Sequence, residues 1–189
     1  MDCKVKKSGE KKIHLLMISS SSSLGGGTKH MFSLGKNLGE EFKVFYALPL
    51  NYNFSEILNS ENHILISERK ITFKDIFNLK NFVKKNSIDI IHAHGKGAGV
   101  IARILLLFFN RPLIYTFHGI HLKCHSLIKR LAYIFYEYLL GGLDSRKVLV
   151  SQSEKSYAQE KKIFLGNKSI IIRNGVPNMP RKDSQGIED

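Results

Sequence analysis

The sequence predicts an α/β protein built on a doubly wound parallel sheet. Short apolar runs rich in β-branched residues alternate along the chain with longer segments that carry apolar residues at helical spacing. The connections between successive apolar runs are long enough for helical crossovers, which parallel strands require. The apolar runs are continuous rather than alternating, as expected for strands that are covered by helices on both faces.

The first half of the chain contains four of the predicted strands. The first strand is followed by a Ser/Gly run and then by a helical segment, 28–41, with apolar residues at Met31, Leu34 and Leu38. The helix predicted over 72–86 is amphipathic, and Thr72 with Asp75 resembles a capping box at its start. The strands predicted in this half are 13–19, 42–48, 63–67 and 88–93.

The second half continues the same alternation. Glycines lead from the fourth strand into a helix that we expect to end near Phe109, because Asn110 and Pro112 stop it. A helix over 126–142 is closed by glycines, and another begins near Ser153. The strands predicted in this half are 113–118, 147–151 and 169–173. Right-handed crossovers between strands in this order predict a Rossmann-like sheet with helices on both faces.

The composition indicates one domain with a basic surface. The 189 residues are 43% hydrophobic, which supports a packed core, and the formal net charge of +13 favours an anionic partner such as phosphate, nucleotide or acidic lipid. Two cysteines make no disulfide framework and fit a reducing compartment, so we expect a cytoplasmic protein. The sequence predicts neither a signal peptide nor a membrane span. We expect a basic tail at 1–11, the domain at 12–177 and a linker at 178–189.

Distinctive glycine and polar segments follow most of the predicted strands. Because the carboxyl ends of parallel strands meet at one edge of a sheet, where ligands collect, we expect these segments to line one cleft. In chain order, the segments are SSSSSLGGGTKH, HAHGKGAG, TFHGIH, VSQS and RNGV.

Two of these segments are rich in glycine. The Gly25–Gly27 loop precedes a helix whose first N–H groups could bind an anion, although a flexible turn is the alternative. It fits neither the G-x-G-x-x-G fingerprint nor a P-loop. The segment HGKGAG, with Lys96, could bind an anion or could equally allow close packing of strand and helix. Ser151 to Ser153 fits a helix N-cap, which needs no ligand.

Five histidines lie within a short stretch of sequence, and they raise the question of a metal site. His121 and His125 have the offset of zinc ligands on a helix, but no glutamate follows the first, and Cys124 has no partner cluster elsewhere. We therefore expect no metal site. His118 ends a predicted strand before Gly119 and should point into the cleft, with a structural role as the alternative.

Five segments in order resemble the amino-terminal domain of family 4 glycosyltransferases, over roughly residues 12–177. The segments are GGGTKHMFSLGKNL, DIIHAHGKGAGVIAR, PLIYTFHGIHL, VLVSQSEKSYA and IIIRNGVP. The resemblance implies one half of a retaining GT-B enzyme of the kind that builds bacterial surface polysaccharides. It also implies a nucleotide-sugar substrate, and neither a cofactor nor a catalytic metal.

By this resemblance, the chain is the acceptor-binding half. His118 matches the family's HG histidine beside the transferred sugar and is the candidate catalytic residue, which we expect to hydrogen-bond a sugar hydroxyl. The helix that follows Gly25, Gly26 and Gly27 would stabilise the departing diphosphate. The other candidate substrate-binding residues are His92, His94, Lys96, Gly119, Ser151, Ser153, Asn174 and Gly175.

The family's second domain, with the nucleotide-sugar pocket and an E-x7-E motif, has no counterpart in this sequence. We therefore expect residues 178–189 to be a truncated interdomain linker. We also expect little transferase activity from this chain alone, and one source of the missing half would be a separate chain. The partners expected are a nucleotide sugar and a glycan or lipid-linked acceptor.

Other functions compete with this interpretation. The basic surface could bind an anionic lipid or glycan precursor without catalysis. The helix from Ser126 to Leu140 carries Lys129 and Arg130 among apolar residues, so it could dock at the inner face of the cytoplasmic membrane or simply pack on the sheet. No recognition helix or aromatic RNA-binding surface is evident, so we do not expect nucleic acid as a partner.

Overall fold

The computed structural model describes residues 11–23, 25–51, 62–120, 126–163, 166 and 168–175. Within them it confirms the predicted alternation of strands and helices. The strands are β1 (Ile13–Ser19), β2 (Phe42–Pro49), β3 (His63–Ile66), β4 (Ile90–His94), β5 (Leu113–Thr116), β6 (Arg146–Leu149) and β7 (Ser169–Ile171). The helices are α1 (Gly26–Asn37), α2 (Phe73–Lys85), α3 (Lys96–Leu105), α4 (Leu127–Leu140), which a 3-10 turn (Gly141–Leu143) follows, and α5 (Gln152–Glu160).

The seven strands form one sheet in the order β3-β2-β1-β4-β5-β6-β7, and every pair is parallel. The chain runs outward from β1 to β3 and then crosses back to β4 on the other side of β1. This reversal makes a topological switch point between β1 and β4. In open parallel sheets, the crevice outside the carboxyl ends of the strands at such a point is the expected ligand site.

The two faces of the sheet carry separate hydrophobic clusters, because successive side chains of a strand point to opposite faces. Met17 packs with Met31 and Phe32 of α1 on one face. Leu16 and Ile18 belong to a larger cluster on the other face, which also contains buried residues of α2, α3 and α5. Helices therefore cover both faces of the sheet, as the continuous apolar strands predict.

Several predicted boundaries were wrong by a few residues. The fifth strand ends at Thr116 rather than at 118, because His118 has a φ of 55° and cannot continue an extended strand. The first helix begins at Gly26 and ends at Asn37, short of the predicted 41. The third helix ends at Leu105, and hydrogen-bonded turns occupy the residues that follow.

The capping box predicted for α2 is confirmed. The Thr72 hydroxyl accepts a hydrogen bond from the Asp75 N–H at 3.0 Å, and the Asp75 carboxylate accepts one from the Thr72 N–H at 3.3 Å. These reciprocal bonds satisfy backbone donors that the first helical turn leaves free. The start of α2 is therefore fixed by its own sequence.

A buried ionic network joins α3, α4 and β6. Arg103, which interrupts the apolar pattern of α3, donates hydrogen bonds to the carboxylates of Glu137 at 2.9 Å and Asp144 at 2.6 Å. Lys147 lies 3.6 Å from Asp144, and all four side chains are at most 2% exposed. Two cations therefore balance two carboxylates inside the fold, which removes the cost of an unpaired buried charge.

Among the described helices, none has both the length and the apolar character needed to cross a bilayer. Three sequence predictions lie outside the described residues: the linker at 178–189, the basic tail apart from its last residue, and the segment with His121, Cys124 and His125.

Candidate functional site at the carboxyl edge of the sheet

The candidate site lies where β1, β4 and β5 end at the switch point of the sheet. Ser19 of β1 pairs in register with His94 of β4, and His94 pairs with Thr116 of β5. His118 follows β5 directly. Helix α1 begins above the same edge and places Gly27 beside the His118 ring. The residues that the sequence predicts at this edge therefore lie together on both sides of β4.

Four histidine rings form one cluster at this edge. Nδ1 of His94 and Nε2 of His118 are 2.9 Å apart and share a hydrogen bond. The His30 ring, from α1, has its centroid 5.0 Å from that of His118 and 6.0 Å from that of His94. His92 packs on His94 with the centroids 4.1 Å apart, and its Nε2 lies 2.9 Å from the Thr116 hydroxyl.

Burial keeps these imidazoles neutral near pH 7. Desolvation, with a smaller contribution from the neighbouring histidines, lowers the pKa of His92 to about 3 and that of His118 to about 4. The same causes place the pKa of His94 well below its ordinary value, and burial also lowers the pKa of His30. A neutral ring has one N–H donor and one acceptor nitrogen. The cluster therefore offers lone pairs and neutral donors rather than positive charge.

The Gly25–Gly27 segment, which the sequence predicts as a loop, is the N-cap and first turn of α1, and it lies against His118. A Cβ added to Gly27 would lie 3.0 Å from Cγ of His118, whereas a Cβ added to Gly26 would meet nothing within 4 Å. Gly27 therefore lets α1 approach the histidine ring closely. Gly25 is the N-cap of α1 and makes no side-chain cap, so the first N–H groups of the helix have no side-chain acceptor from the cap residue.

The His118–Gly119 turn is held by a carboxylate of α5. Glu154 accepts hydrogen bonds from the Gly119 N–H at 2.6 Å and from the Val150 N–H at 2.8 Å. Its own N–H donates to the hydroxyl of Ser151, the N-cap of α5. The turn uses left-handed backbone at both positions, with φ of 55° at His118 and 102° at Gly119. Glu154 stabilises this conformation by satisfying the Gly119 amide.

Sequence reasoning missed Glu154 and His30. Ser151 and Glu154 have the S-x-x-E spacing of a capping box, so the pattern was available in the sequence. In a capping box, the glutamate accepts a hydrogen bond from the backbone N–H of the cap residue. The Glu154 carboxylate accepts hydrogen bonds from the N–H groups of Gly119 and Val150, and so reaches beyond its own helix. No local pattern marks His30, because only the packing of α1 on the sheet brings it to β4 and β5.

Ser151 and Ser153 lie at the start of α5, with their hydroxyl oxygens 2.9 Å apart. They border a shallow hollow of about 270 Å³, and Gly119 and Tyr157 form other parts of its wall. Ser151 is the N-cap of α5, which is the structural role that its sequence position suggests. It also faces the hollow. The two serines therefore lie beside the His118–Gly119 turn, where the sequence predicts them.

Lys96 lies outside the histidine cluster, against a residue of α4. Its ammonium lies 4.8 Å from the centroid of the Tyr133 ring of α4, and burial lowers its pKa against the opposing influence of Glu137. The glycines around it serve close packing, since a Cβ at Gly97 would collide with Ser20 and one at Gly99 would lie 3.0 Å from the Tyr115 ring. Of the two interpretations of HGKGAG, the described contacts favour strand–helix packing.

Asn174 and Gly175 are exposed and follow β7, the edge strand, which β6 separates from β5. They lie beyond the carboxyl end of their strand, as predicted. Two strand spacings, about 10 Å in all, separate β7 from β5, after which the histidine turn follows. They are therefore at the margin of the cleft rather than beside the His118 ring.

The sequence matches known glycosyltransferases. The family model of Glycosyltransferase Family 4 matches residues 24–178. The chain is 28% identical over 175 residues to the O-antigen biosynthesis glycosyltransferase WbnH of Escherichia coli, with 90% of this chain and 51% of WbnH covered. The probable O-antigen biosynthesis glycosyltransferase WbiN of the same organism matches equally. The chain thus spans about half the length of these curated relatives.

Solved structures of low sequence identity share the fold. The Anabaena protein Alr3699/HepE, solved in complex with UDP and glucose, superposes with a TM-score of 0.68 at 16% identity over 87% of this chain and 45% of its own. A glycosyltransferase from Rickettsia africae gives a TM-score of 0.61 at 19% identity, covering 88% of this chain and 44% of that one. The doubly wound sheet, the glycine start of α1 beside His118 and the family match over most of the chain together show that this chain belongs to glycosyltransferase family 4.

Proposed function

We propose that this chain is the acceptor-side domain of a retaining glycosyltransferase. It would act in the transfer of a hexose from a nucleotide sugar to a surface polysaccharide or lipid-linked glycan. The observation that carries the proposal is the contact between His118 and the glycine start of α1 at the switch point of the sheet. The turn after β5 and the start of α1 thus bring a neutral imidazole and a helix N-terminus to the same edge of the sheet.

The chemistry of retaining transfer suits these groups. A nucleoside diphosphate leaves while positive charge develops on the sugar, so the site must stabilise phosphate charge and orient the sugar. The N-terminus of α1 stabilises negative charge through its free N–H groups. His118 orients the sugar by a hydrogen bond to a hydroxyl, and its lowered pKa means that it does so as a neutral ring. No metal or cofactor takes part in this step.

The partners follow from the relatives. HepE has been solved with UDP and with UDP-glucose, which supports a nucleotide sugar as donor. The names of WbnH and WbiN support an acceptor of the O-antigen type. A protein that uses a cytoplasmic nucleotide sugar would work in the cytoplasm, at the inner face of the membrane when its acceptor is lipid-linked.

Substitution of His118 tests the proposal in a complete enzyme that joins this chain to a donor-side half. His118→Ala should lower kcat/KM roughly tenfold to a hundredfold, because a hydrogen bond between polar groups in a desolvated site is lost. His63→Ala, on β3 and outside the histidine cluster, is the matched control and should keep full activity. Unchanged turnover in His118→Ala would contradict the role assigned to this ring.

A second observation favours contact with a membrane. Helix α4 packs on the core through Tyr133 and Ile134, yet its opposite side leaves large apolar residues in solvent: Leu127, Ile128, Leu131, Phe135, Tyr138 and Leu139. Lys129 lies on the same helix, and Lys155 and Lys162 line the adjoining groove of about 1140 Å³. Apolar residues flanked by lysines suit the interface of an anionic bilayer.

Vesicle sedimentation tests this surface. The chain should bind vesicles that contain phosphatidylglycerol better than neutral phosphatidylcholine vesicles, and salt should weaken the binding. Phe135→Glu should reduce binding severalfold, whereas Phe77→Glu, at a similarly exposed position on α2, should not. Equal loss in both variants, or equal binding to both vesicles, would contradict membrane contact through α4.

A further inference from the structure

Three of the clustered histidines converge from separate parts of the chain. His30 comes from α1, His94 from the end of β4, and His118 from the turn after β5. Each ring offers one nitrogen, and these nitrogens all lie within 4.8 Å of one another. The convergence is a product of the tertiary fold. His94 lies 64 positions after His30 in the sequence, and His118 lies 24 positions after His94.

The three rings also carry nitrogens that lack hydrogen-bond partners. Nδ1 of His30, Nε2 of His94 and Nδ1 of His118 are buried, and the described residues provide no donor or acceptor for them. A buried polar atom without a partner costs about 1–3 kcal/mol, and native proteins seldom leave one without a water or an ion. In His94 and His118 the unpartnered nitrogen is not the one in the 2.9 Å contact, so the unpartnered atoms and the close contact involve opposite nitrogens of these two rings.

The chemistry of the converging nitrogens defines the class of ion that they would hold. The group contains only imidazoles and no carboxylate, which suits Zn²⁺, Co²⁺ or Ni²⁺ and disfavours the oxygen-seeking ions Mg²⁺ and Ca²⁺. Ligand nitrogens about 2.0–2.1 Å from a zinc ion lie roughly 3.3 Å from each other. Nδ1 of His94 and Nε2 of His118 are already 2.9 Å apart, whereas the three nitrogens lie within 4.8 Å of one another, so the His30 nitrogen must move closer to the other two.

The surrounding structure holds the ligand backbones in place. His94 lies in a central strand, and the Gly119 amide beside His118 is bound by Glu154. His92 packs against the His94 ring while its own Nε2 contacts Thr116. The proton shared by Nδ1 of His94 and Nε2 of His118 must move to the opposite, unpartnered nitrogen of its ring before both atoms can bind an ion.

We propose that His30, His94 and His118 bind one divalent transition-metal ion of the Zn²⁺ class, with a further coordination position open to water. The binding itself is independent of glycosyl transfer and needs no donor-side half. One consequence does rest on the proposed function. The ion would engage the ring assigned to the sugar, so metal and sugar would compete at His118.

Metal titration of the full 189-residue chain, freed of metal with EDTA, tests the site. Zn²⁺ should bind with a stoichiometry of one by calorimetry, and Co²⁺ should give the visible absorption of a nitrogen-ligated ion without a thiolate band. His30→Gln should weaken the affinity at least tenfold, while His63→Gln should leave it unchanged. Circular dichroism checks that both variants are folded.

A measurement on the unaltered chain covers the case in which His30→Gln does not fold. One equivalent of Co²⁺ should broaden or shift the NMR signals of the His30, His94 and His118 rings selectively. The double variant His121→Gln/His125→Gln should keep full affinity. Absence of binding at one equivalent, a thiolate band, or loss of binding in the double variant would each overturn the proposal.

Discussion

At the scale of single residues, the site depends on how the His118 ring is held. Gly27 supports it from the side of α1, His94 binds one of its nitrogens, and Glu154 binds the amide that follows it. A left-handed backbone at a non-glycine residue is uncommon and persists where the surroundings stabilise it. The conformation of His118 is therefore a property of its neighbours rather than of its own preference.

The two adjacent glycines of α1 should respond differently to alanine. In Gly27→Ala, the new Cβ would lie 3.0 Å from Cγ of His118, so we expect roughly 1–3 kcal/mol less free energy of unfolding and a displaced ring. Gly26→Ala has open space and should be neutral or stabilising by up to about 1 kcal/mol, since alanine favours helix.

Urea unfolding and the NMR signals of the His118 ring measure both effects. The expected pattern is a loss of stability and a moved His118 signal in Gly27→Ala only. If the two alanine variants behave alike, the first turn of α1 is not in contact with the histidine.

At the scale of secondary-structure elements, a buried charge network fixes α3 and α4 relative to β6. The Arg103 guanidinium joins Glu137 to Asp144 and lies 5.0 Å from the centroid of the Tyr115 ring. Glu137 is the one residue of α4 that is fully buried. Helix α4 is thus attached to the domain by a charged contact as well as by Tyr133 and Ile134, which leaves its outer apolar side uncovered.

Replacing Arg103 should lower the free energy of unfolding. Arg103→Met removes the cation that binds both carboxylates, while Lys147 remains 3.6 Å from Asp144, so we expect the free energy of unfolding to fall by about 3–5 kcal/mol. Arg111→Met, at an exposed position just beyond α3, should change it by less than about 0.5 kcal/mol. Chemical denaturation monitored by circular dichroism gives both values, and a small effect at Arg103 would mean that the network adds little stability.

The order of the elements was predictable from the sequence, and their ends were less so. Continuous apolar runs identified every described strand, because burial on both faces leaves a strong local pattern. The end of β5 was misplaced, because the left-handed conformation of His118 is imposed by tertiary contacts. The start of α2 was predicted correctly, since the capping box of Thr72 and Asp75 is local chemistry.

At the scale of the whole molecule, the proposed function makes the carboxyl edge of the sheet one wall of an active site. The chain covers 51% of WbnH, and solved relatives are about twice as long as the part that superposes on it. The described edge of the sheet carries the histidine cluster and the N-terminus of α1. Binding energy for a nucleotide sugar must come from contacts on both sides of such a cleft.

The 189-residue chain alone should therefore show little or no sugar transfer. Incubation of the purified chain with UDP-sugars and a lipid-linked acceptor should give no product above background. Adding a polypeptide that carries a donor-side domain should restore turnover, because the second wall then closes the cleft. Multiple turnovers by the chain alone would contradict the division of binding energy between two halves.

The sequence by itself determined the parallel sheet, the order of its elements and the edge at which Gly27, His94, His118 and Ser151 lie. These features follow from local apolar patterns and from the rule that parallel strands end at one edge. Only the tertiary structure decided that His30 joins His94 and His118, that Glu154 holds the turn and that Lys96 packs on Tyr133. Contacts between residues far apart in the chain depend on how helices pack on the sheet, and no local pattern encodes that packing.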